Sequence, residues 1–435
     1  MKTPFKNITK KALLALVVLS APALVKAQLP HIYNIRPYDK SGINVFEAPK
    51  DSVTEFEGIK VKVGAGFNQA LQGLKHETSN TAGTKLYGLT TGFNTASANL
   101  YLDAQLADGI VLNLTTYLSS RHHNETWVKG GYIQFDKLPF KGQFWEDLMK
   151  FTTIKVGHME INFGDAHFRR SDNGMTLQNP FAEGYILSSF TTEIGGEVYM
   201  RKNDFFGMVG LTNGMLKGNV DKQVPTAADS NIHKSPSIYF KGGYDKQLND
   251  LVRVRLAGSY YHNSSSGSNT LYNGDRGGSQ YFMVMEPSTG TYDENAFSGR
   301  LNPGFTKKID AVQLNGLLKV SGFELFGTYE LAKGRTKNET STRDVNQYAI
   351  DGIYRFGKDE NLFVGARYNT VSAELAGITD KVHIDRTAFS AGWFITNNIL
   401  LKGEYVNQKY KDYPASNLLN GGKFHGYIVQ AAVAF

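Results

Sequence analysis

Histidine and carboxylate residues come together at two places in this 435-residue chain, and each place could support chemistry. The first holds His122, His123 and Glu125, whose side chains are of the types that bind a metal ion. Successive side chains of an extended segment point to opposite faces, so two adjacent histidines do not readily share one ion. A polar loop explains these residues better than a metal site, and we expect neither a metal nor a cofactor.

The second place combines Asp380, His383 and Asp385, a histidine beside carboxylates as in acid–base hydrolysis. The chain contains ten histidines, so a neighbourhood of this kind is expected by chance. It has no cysteine, which removes thiol nucleophiles and disulfides. The glycines of Val63–Phe67 lack the spacing of a phosphate-binding loop and suit a closely packed strand. We predict that the chain is not an enzyme.

Charged residues that alternate with apolar residues are a better guide to function. Alternation places the two kinds of side chain on opposite faces of an extended strand. Six basic and six acidic residues follow this pattern: Arg253, Arg255, Lys319, Arg355, Arg367, Lys402, Glu193, Glu197, Glu324, Glu330, Asp351 and Glu404. If the apolar faces meet lipid, these charges line an interior, and we expect that interior to be filled with water that solvates them.

The elements that would position these residues are strands. Apolar residues recur at every second position in about 16 runs of roughly 9 to 12 residues, the length of a tilted strand that crosses a bilayer. In one run, Leu112, Leu114 and Thr116 alternate with Asn113 and Thr115. The predicted fold is therefore all-β, an antiparallel transmembrane β-barrel of about 16 strands.

The connections between these runs alternate in length. Short connections are predicted at 202–204, 246–250, 321–322, 357–361 and 396–398. Long ones lie between them at 214–235, 262–308, 333–346, 371–382 and 409–423. A transmembrane barrel explains this pattern, because its short turns face the periplasm and its long loops face the outside. The stretch 137–150 is too long for a turn, and we interpret it as a short amphipathic helix.

The first 27 residues have the order of a secretory signal peptide, with lysines before a short apolar stretch and small residues at the cleavage site. They contain five of the lysines behind the formal net charge of +7, so the rest of the chain carries +2 and gives no reason to expect nucleic acid as a partner. We predict a leader at 1–27, a periplasmic extension at 28–57 and a barrel at 58–435. Apolar stretches are too short for a spanning helix.

The last strand alternates Tyr427, Val429, Ala431 and Val433 and ends on Phe435. A barrel must pair its last strand with its first so that no unpaired edge meets lipid. An alternating strand that ends in phenylalanine also resembles the signal read by the machinery that inserts barrels into the bacterial outer membrane. We therefore expect outer-membrane lipid and this insertion machinery as partners.

With this architecture the chain is similar to Gram-negative outer-membrane porins, and more narrowly to the phosphate-selective porins O and P. The resemblance rests on Ile154–His158 leading into Gly164, on Val209–Gly214, on Tyr354–Gly357 with Leu362–Tyr368, and on Leu400–Tyr405. It implies a 16-stranded homotrimeric channel for small hydrophilic solutes. The chain lacks the dense runs of arginine and lysine of the phosphate-selective members, so phosphate selectivity does not carry over.

The third outer loop of such a channel would span 164–190. General porins fold this loop into the lumen, and long loops without strands of their own are usually functional. Its charged residues are Asp165, His167, Arg169, Arg170, Asp172 and Glu183. We predict that they form the pore constriction, with arginines that bias the pore towards anions. Solvated arginines on the outer surface are the alternative.

These observations predict an outer-membrane porin for passive diffusion of small hydrophilic solutes. Arg253, Arg255, Arg355, Arg367, Lys402 and Glu404 would face its lumen. Two other functions stay open: a non-conducting barrel that binds partners at the surface or assists secretion, and a barrel hydrolase.

Overall fold

Alternating apolar and polar residues form long antiparallel strands throughout a computed structural model of the chain. The structure describes residues 30–50, 56–119, 121, 125–217, 221–230 and 233–435. Ile32–Phe435 make up one compact unit, and Met1–His31 make up another, of which only Pro30 and His31 are described. The predicted leader and the pair His122 and His123 lie outside the described residues.

Sixteen strands form the wall of a barrel. The first eight are β1 (Lys60–Glu77), β2 (Ser97–Ala107), β3 (Ile110–Leu118), β4 (Trp127–Phe135), β5 (Thr152–Glu160), β6 (Thr192–Lys202), β7 (Phe205–Thr212) and β8 (Ser237–Gln247). The others are β9 (Val252–Asn263), β10 (Lys308–Val320), β11 (Phe323–Arg335), β12 (Arg343–Phe356), β13 (Leu362–Ala373), β14 (Val382–Thr396), β15 (Ile399–Lys411) and β16 (Lys423–Ala434). A two-residue strand, Gly92–Phe93, adds to the edge of β1.

Each strand pairs with its neighbours in the chain, and β1 closes the ring. On one side β1 pairs with β2, where Lys60 lies opposite Gln105. On the other it pairs with β16, where Gly66 lies opposite Ala434. Closure leaves no strand edge exposed to lipid, which a membrane barrel requires. The predicted antiparallel barrel of about 16 strands is confirmed.

The long connections lie at one end of the barrel, the loop end, and the short ones lie at the other, the turn end. We number the eight loops in chain order; loop 3 is 161–191 and loop 5 is 264–307. The predicted loop at 333–346 is shorter than expected, at 336–342, because the ladder continues to the pair Lys308 and Arg335. A helix, α1 (Gln143–Met149), lies within the long connection at the turn end.

The outer face of the wall is apolar. Along β3, Leu114 and Leu118 are exposed on this face, whereas Asn113 and Tyr117 are buried on the inner face. Exposed tyrosines, such as Tyr368 and Tyr405, lie on the same outer face as is typical of the lipid boundary. Among the described residues, no helix is both apolar enough and long enough to span a bilayer. The architecture is that of an outer-membrane barrel.

Three segments enter the lumen. Loop 3 is almost wholly buried, and Gly174 near its middle approaches the backbone of Gly66 so closely that a Cβ at position 174 would lie 2.5 Å from the Gly66 oxygen. Loop 5 enters from the loop end, where Tyr281 donates a hydrogen bond to Glu404 at 2.8 Å. The inner segment, residues 32–50, enters from the turn end, where the Lys40 amide bonds the carbonyl oxygen of Asn397.

Cysteine labelling tests the orientation of the barrel, because the native chain has no cysteine. We expect an impermeant thiol reagent added to intact cells to label Thr340→Cys in loop 6 but not Ser321→Cys in the turn between β10 and β11. Both positions are exposed. Ser265 would be an unsuitable probe, since it is fully buried. Labelling at position 321 but not at position 340 would show that the barrel has the opposite orientation.

Candidate functional site

Loop 3 is attached to the inner wall by buried ion pairs. Arg169 donates to Glu324 of β11 at 2.5 Å, and Arg355 of β12 donates to the same carboxylate at 3.3 Å. Asn44 of the inner segment completes this cluster with a hydrogen bond of 2.7 Å to Glu324. Arg169 and Glu324 are both buried and have lost their hydration, so the pairing of the two charges must compensate for that loss.

A second cluster joins loop 3 to β8 and β9. Arg255 donates to Asp165 at 2.8 Å and to Glu47 of the inner segment at 2.9 Å. Lys241 contacts the same two carboxylates, Glu47 at 2.9 Å and Asp165 at 2.7 Å. Two buried cations therefore share two buried anions, and Arg255 also contacts Asp245 at 3.0 Å. Arg253, at the edge of this group, is only half-buried and pairs with Asp245 at 2.8 Å.

A third cluster holds the second half of loop 3 against β12, β13 and β15. Lys402 donates to three loop carbonyls, those of Thr176, Asn179 and Phe181, at 2.7, 2.7 and 2.8 Å. Arg367 pairs with Asp351 on the neighbouring strand at 2.7 Å. The loop backbone thus supplies three acceptors to a lysine that is almost fully buried.

Glu183 of loop 3 is stabilised as an anion by residues of loop 5. Burial by itself would raise the pKa of this carboxyl, but Arg300 of loop 5, at 2.9 Å, and the Gln280 amide lower it. Its own carbonyl oxygen accepts a bond from Arg367 at 2.8 Å. Loop 5 therefore supports loop 3.

These contacts correct one expectation. The inward charges were expected to be solvated by water, yet Arg255, Arg355, Arg367, Lys402 and Glu404 are at most 4% exposed. The physical reason is that loop 3, loop 5 and the inner segment occupy the lumen beside β9–β15 and supply partners. Only Arg253 of the predicted lumen-facing residues keeps substantial contact with solvent.

The opposite wall, β2–β6, is not covered in the same way. Three cavities follow one another along it from the loop end to the turn end. The upper cavity, about 110 Å³, shares Lys129 and Thr192 with the middle cavity, about 200 Å³. The middle cavity shares Lys155 and Tyr199 with the lower cavity, about 10 Å³. Shared lining residues place the three cavities next to one another in a row.

The lower cavity is the narrowest part of this row and has room for about one water molecule. Lys50 and Pro49 of the inner segment face Lys155 and Arg201 of β5 and β6 there. Beyond it, a basal cavity of about 260 Å³ shares Glu47, Pro49 and Arg201 and reaches the turn between β6 and β7.

The six predicted constriction residues of loop 3 divide into two groups. Asp165, Arg169 and Glu183 pair with the wall or loop 5, as described above, and do not line the row of cavities. His167, Arg170 and Asp172 line the middle cavity. The two signs therefore do not face each other as expected: Asp172 pairs with Lys129 of β4, and His167 bonds Glu160 of β5 at 2.6 Å.

Arg170 differs from its neighbour Arg169. Its side chain is only 7% exposed, and none of its three guanidinium nitrogens donates a hydrogen bond to a described residue. The guanidinium lies 4.0 Å from the centre of the Phe190 ring. Burial lowers the pKa of Arg170. This side chain lines the middle cavity, although its three nitrogens are themselves buried.

His383, near the loop end, does not have the partners that the sequence suggested, Asp380 and Asp385. His383 contacts Asp412 at 2.7 Å and Ser372 at 3.2 Å, while Asp385 pairs with Lys411 at 2.6 Å. Serine, histidine and aspartate are the residues of a hydrolytic triad. Catalysis also needs donors aimed at the developing oxyanion, and the backbone on both sides of Ser372 is committed to the sheet. No group of three or more metal-ligating side chains occurs in the described part of the chain.

Sequence reasoning did not single out Lys129, Lys155 and Arg201 for the lumen, and it assigned the inner segment to a periplasmic extension. Lys155 lies between Ile154 and Val156, so the inward pattern does contain it, whereas Lys129 precedes a glycine and Arg201 precedes Lys202. The inner segment has no such signal. It is irregular, and only its contacts reveal that it lies inside the barrel.

No family model and no curated protein matches the chain. Solved structures do. An anion-selective porin from Comamonas acidovorans has a TM-score of 0.53 at 12% identity, over 87% of this chain and 100% of its own. OmpT, an outer membrane protein of Vibrio cholerae folded in vitro, has a TM-score of 0.50 at 10% identity, over 88% and 100%. The likeness shows a porin-like barrel. At these identities it shows the fold alone.

The Glu324 cluster provides a test of the buried pairs. We expect Glu324→Gln to lower the free energy of unfolding by about 3–5 kcal/mol, because Arg169 and Arg355 lose a buried carboxylate. Urea unfolding of the detergent-solubilised barrel, followed by tryptophan fluorescence, measures this change. As a control, Glu360→Gln removes the half-exposed pair with Lys319 and should cost less than about 1 kcal/mol. Equal losses would contradict the buried assignment.

Proposed function

We propose that the protein is an outer-membrane channel for passive diffusion of small hydrophilic solutes. The observation that supports this function is the row of cavities along β2–β6, which extends from the loop end of the lumen towards the turn end. The lumen beside β9–β15 is filled, so solutes would follow the β2–β6 wall. The narrow lower cavity, rather than loop 3 alone, would set the size limit, and loop 3 would form one side of the route.

Charge along this route favours anions over cations. Lys155, Arg170 and Arg201 line it, and none of the three has an ion pair within 4 Å to a described carboxylate. The carboxylates that line it are engaged with cations or with His167, as described above. Unpaired cations lower the energy of an anion in a narrow polar passage and raise that of a cation.

Association and family remain parts of the same proposal. We infer a homotrimer in outer-membrane lipid, inserted by the barrel insertion machinery. One similar structure, OmpT of Vibrio cholerae, is described as a trimer form, with a TM-score of 0.50 at 11% identity. The narrower resemblance to the phosphate-selective O and P type rests on the sequence patches alone.

The filled half of the lumen favours a second candidate, a non-conducting barrel that binds partners at its surface. Single-channel recording in a planar bilayer separates the two functions. Discrete conductance steps from purified barrel support a channel. A barrel that inserts and gives no steps supports the surface-binding function.

A bulky side chain in the row of cavities should obstruct it. Thr115 of β3 lines the middle cavity, and its neighbour Thr116 lies on the outer face. We expect Thr115→Trp to lower single-channel conductance at least about twofold, because the indole occupies the route, and Thr116→Trp to leave conductance unchanged. If Thr115→Trp conducts like the native protein, solutes do not pass along β3.

The two adjacent arginines of loop 3 should affect selectivity differently. We expect Arg170→Ala to shift the zero-current potential in a salt gradient towards cation preference, because it removes a positive charge from the route. Arg169→Ala should leave that potential unchanged, since Arg169 faces Glu324 away from the route. An equal shift in both variants would show that the long-range field, not the lining of the middle cavity, sets selectivity.

A further inference from the structure

The middle cavity contains cations that the protein itself does not neutralise. Arg170 donates no hydrogen bond to a described residue, although it is only 7% exposed. Lys155 lies between the rings of Tyr132 and Tyr199, 5.0 Å from each centre, and forms no ion pair within 4 Å with the described carboxylates. Arg36 donates to backbone carbonyls, including that of Phe168 at 2.8 Å.

Each carboxylate that lines the same cavity has a partner. Asp172 pairs with Lys129. Glu47 belongs to the buried group with Lys241 and Arg255. Glu160 accepts a hydrogen bond from His167. The cavity therefore has an excess of positive charge, and a buried guanidinium without donor contacts is costly unless a ligand supplies an acceptor.

Six aromatic side chains lie among asparagines, threonines and smaller residues in the rest of the lining. Tyr38, Tyr101, Tyr132, Tyr199, Phe46 and Phe168 line the cavity. Tyr38 and Tyr101 are stacked with their ring centres 3.9 Å apart, so they present a flat surface. Apolar walls with a few polar groups are typical of sites for organic ligands. A hydrated inorganic anion could contact the same cations, but it has no apolar surface to place against these rings.

We propose that the middle cavity is a binding site for a small organic anion, with its carboxylate against Arg170 and a flat apolar body among the tyrosines. An aromatic monocarboxylate is the class that fits. The site rests on the proposed channel, because solutes would reach it along the row of cavities. A guanidinium that donates no other hydrogen bond can hold a carboxylate with two parallel hydrogen bonds.

Isothermal titration calorimetry on the folded, detergent-purified barrel tests the site with sodium benzoate as probe. We expect saturable binding of benzoate, and binding at least about tenfold weaker for acetate, which lacks the ring, for benzyl alcohol, which lacks the charge, and for inorganic phosphate. Arg170→Ala should weaken benzoate binding at least about tenfold, and Arg170→Lys should restore part of it, since lysine keeps the charge without the planar fork.

The control is Arg335→Ala, which removes an arginine paired with Asp229 at 2.7 Å near the loop end, outside the cavity. It should bind benzoate as the native protein does. Heat-modified migration on a gel verifies that each variant is folded. Absent benzoate binding, equal binding of phosphate, or unchanged binding by folded Arg170→Ala would each overturn the site.

The same preparation separates this site from the channel. Conductance steps without benzoate binding would support the proposed channel and contradict the proposed binding site. Benzoate binding by a barrel that gives no conductance would support the proposed binding site and contradict the proposed channel.

Discussion

Charged side chains that face the lumen and are shielded from bulk water need partners, and this requirement organises the interior of the barrel. Glu324 on β11 is fully buried and is stable as an anion only because Arg169, Arg355 and Asn44 converge on it. Lys402 on β15 is held by three carbonyls of loop 3. The wall therefore dictates where loop 3 lies, and the loop in turn removes the wall from water.

The two halves of the barrel differ as a result. Strands β9–β16 have 12 to 15 residues, and strands β2–β8 have 8 to 11. Loop 3 pairs Asp165 and Arg169 with side chains of the taller half, Arg255 and Glu324. Along the shorter half, glycines and small polar residues such as Gly130 and Thr115 leave space beside loop 3, and the row of cavities occupies it. One set of ion pairs thus both closes one side of the lumen and leaves the other side for solutes.

Alternation along each strand was sufficient to predict the wall. Leu114 and Asn113 are adjacent in the chain, and the period of a strand alone places one against lipid and the other inside. The lengths of the connections identified the two ends in the same way. The short helix predicted within the long connection at 137–150 is also present, at Gln143–Met149. These features are local, so a few neighbouring residues determine them.

Which charges are paired could not be predicted from local pattern. Arg169 and Arg170 are neighbours with the same side chain. Arg169 nevertheless meets Glu324, 155 residues away in the chain, whereas Arg170 donates no hydrogen bond to a described residue. The inner segment gives no periodic signal, yet its Glu47 joins Asp165 and Arg255 in one cluster. The sequence by itself determined the strands, their lipid face and the side that carries charge. Only the tertiary structure decided which of those charges are neutralised and where space remains, because both depend on residues that approach only when the barrel closes.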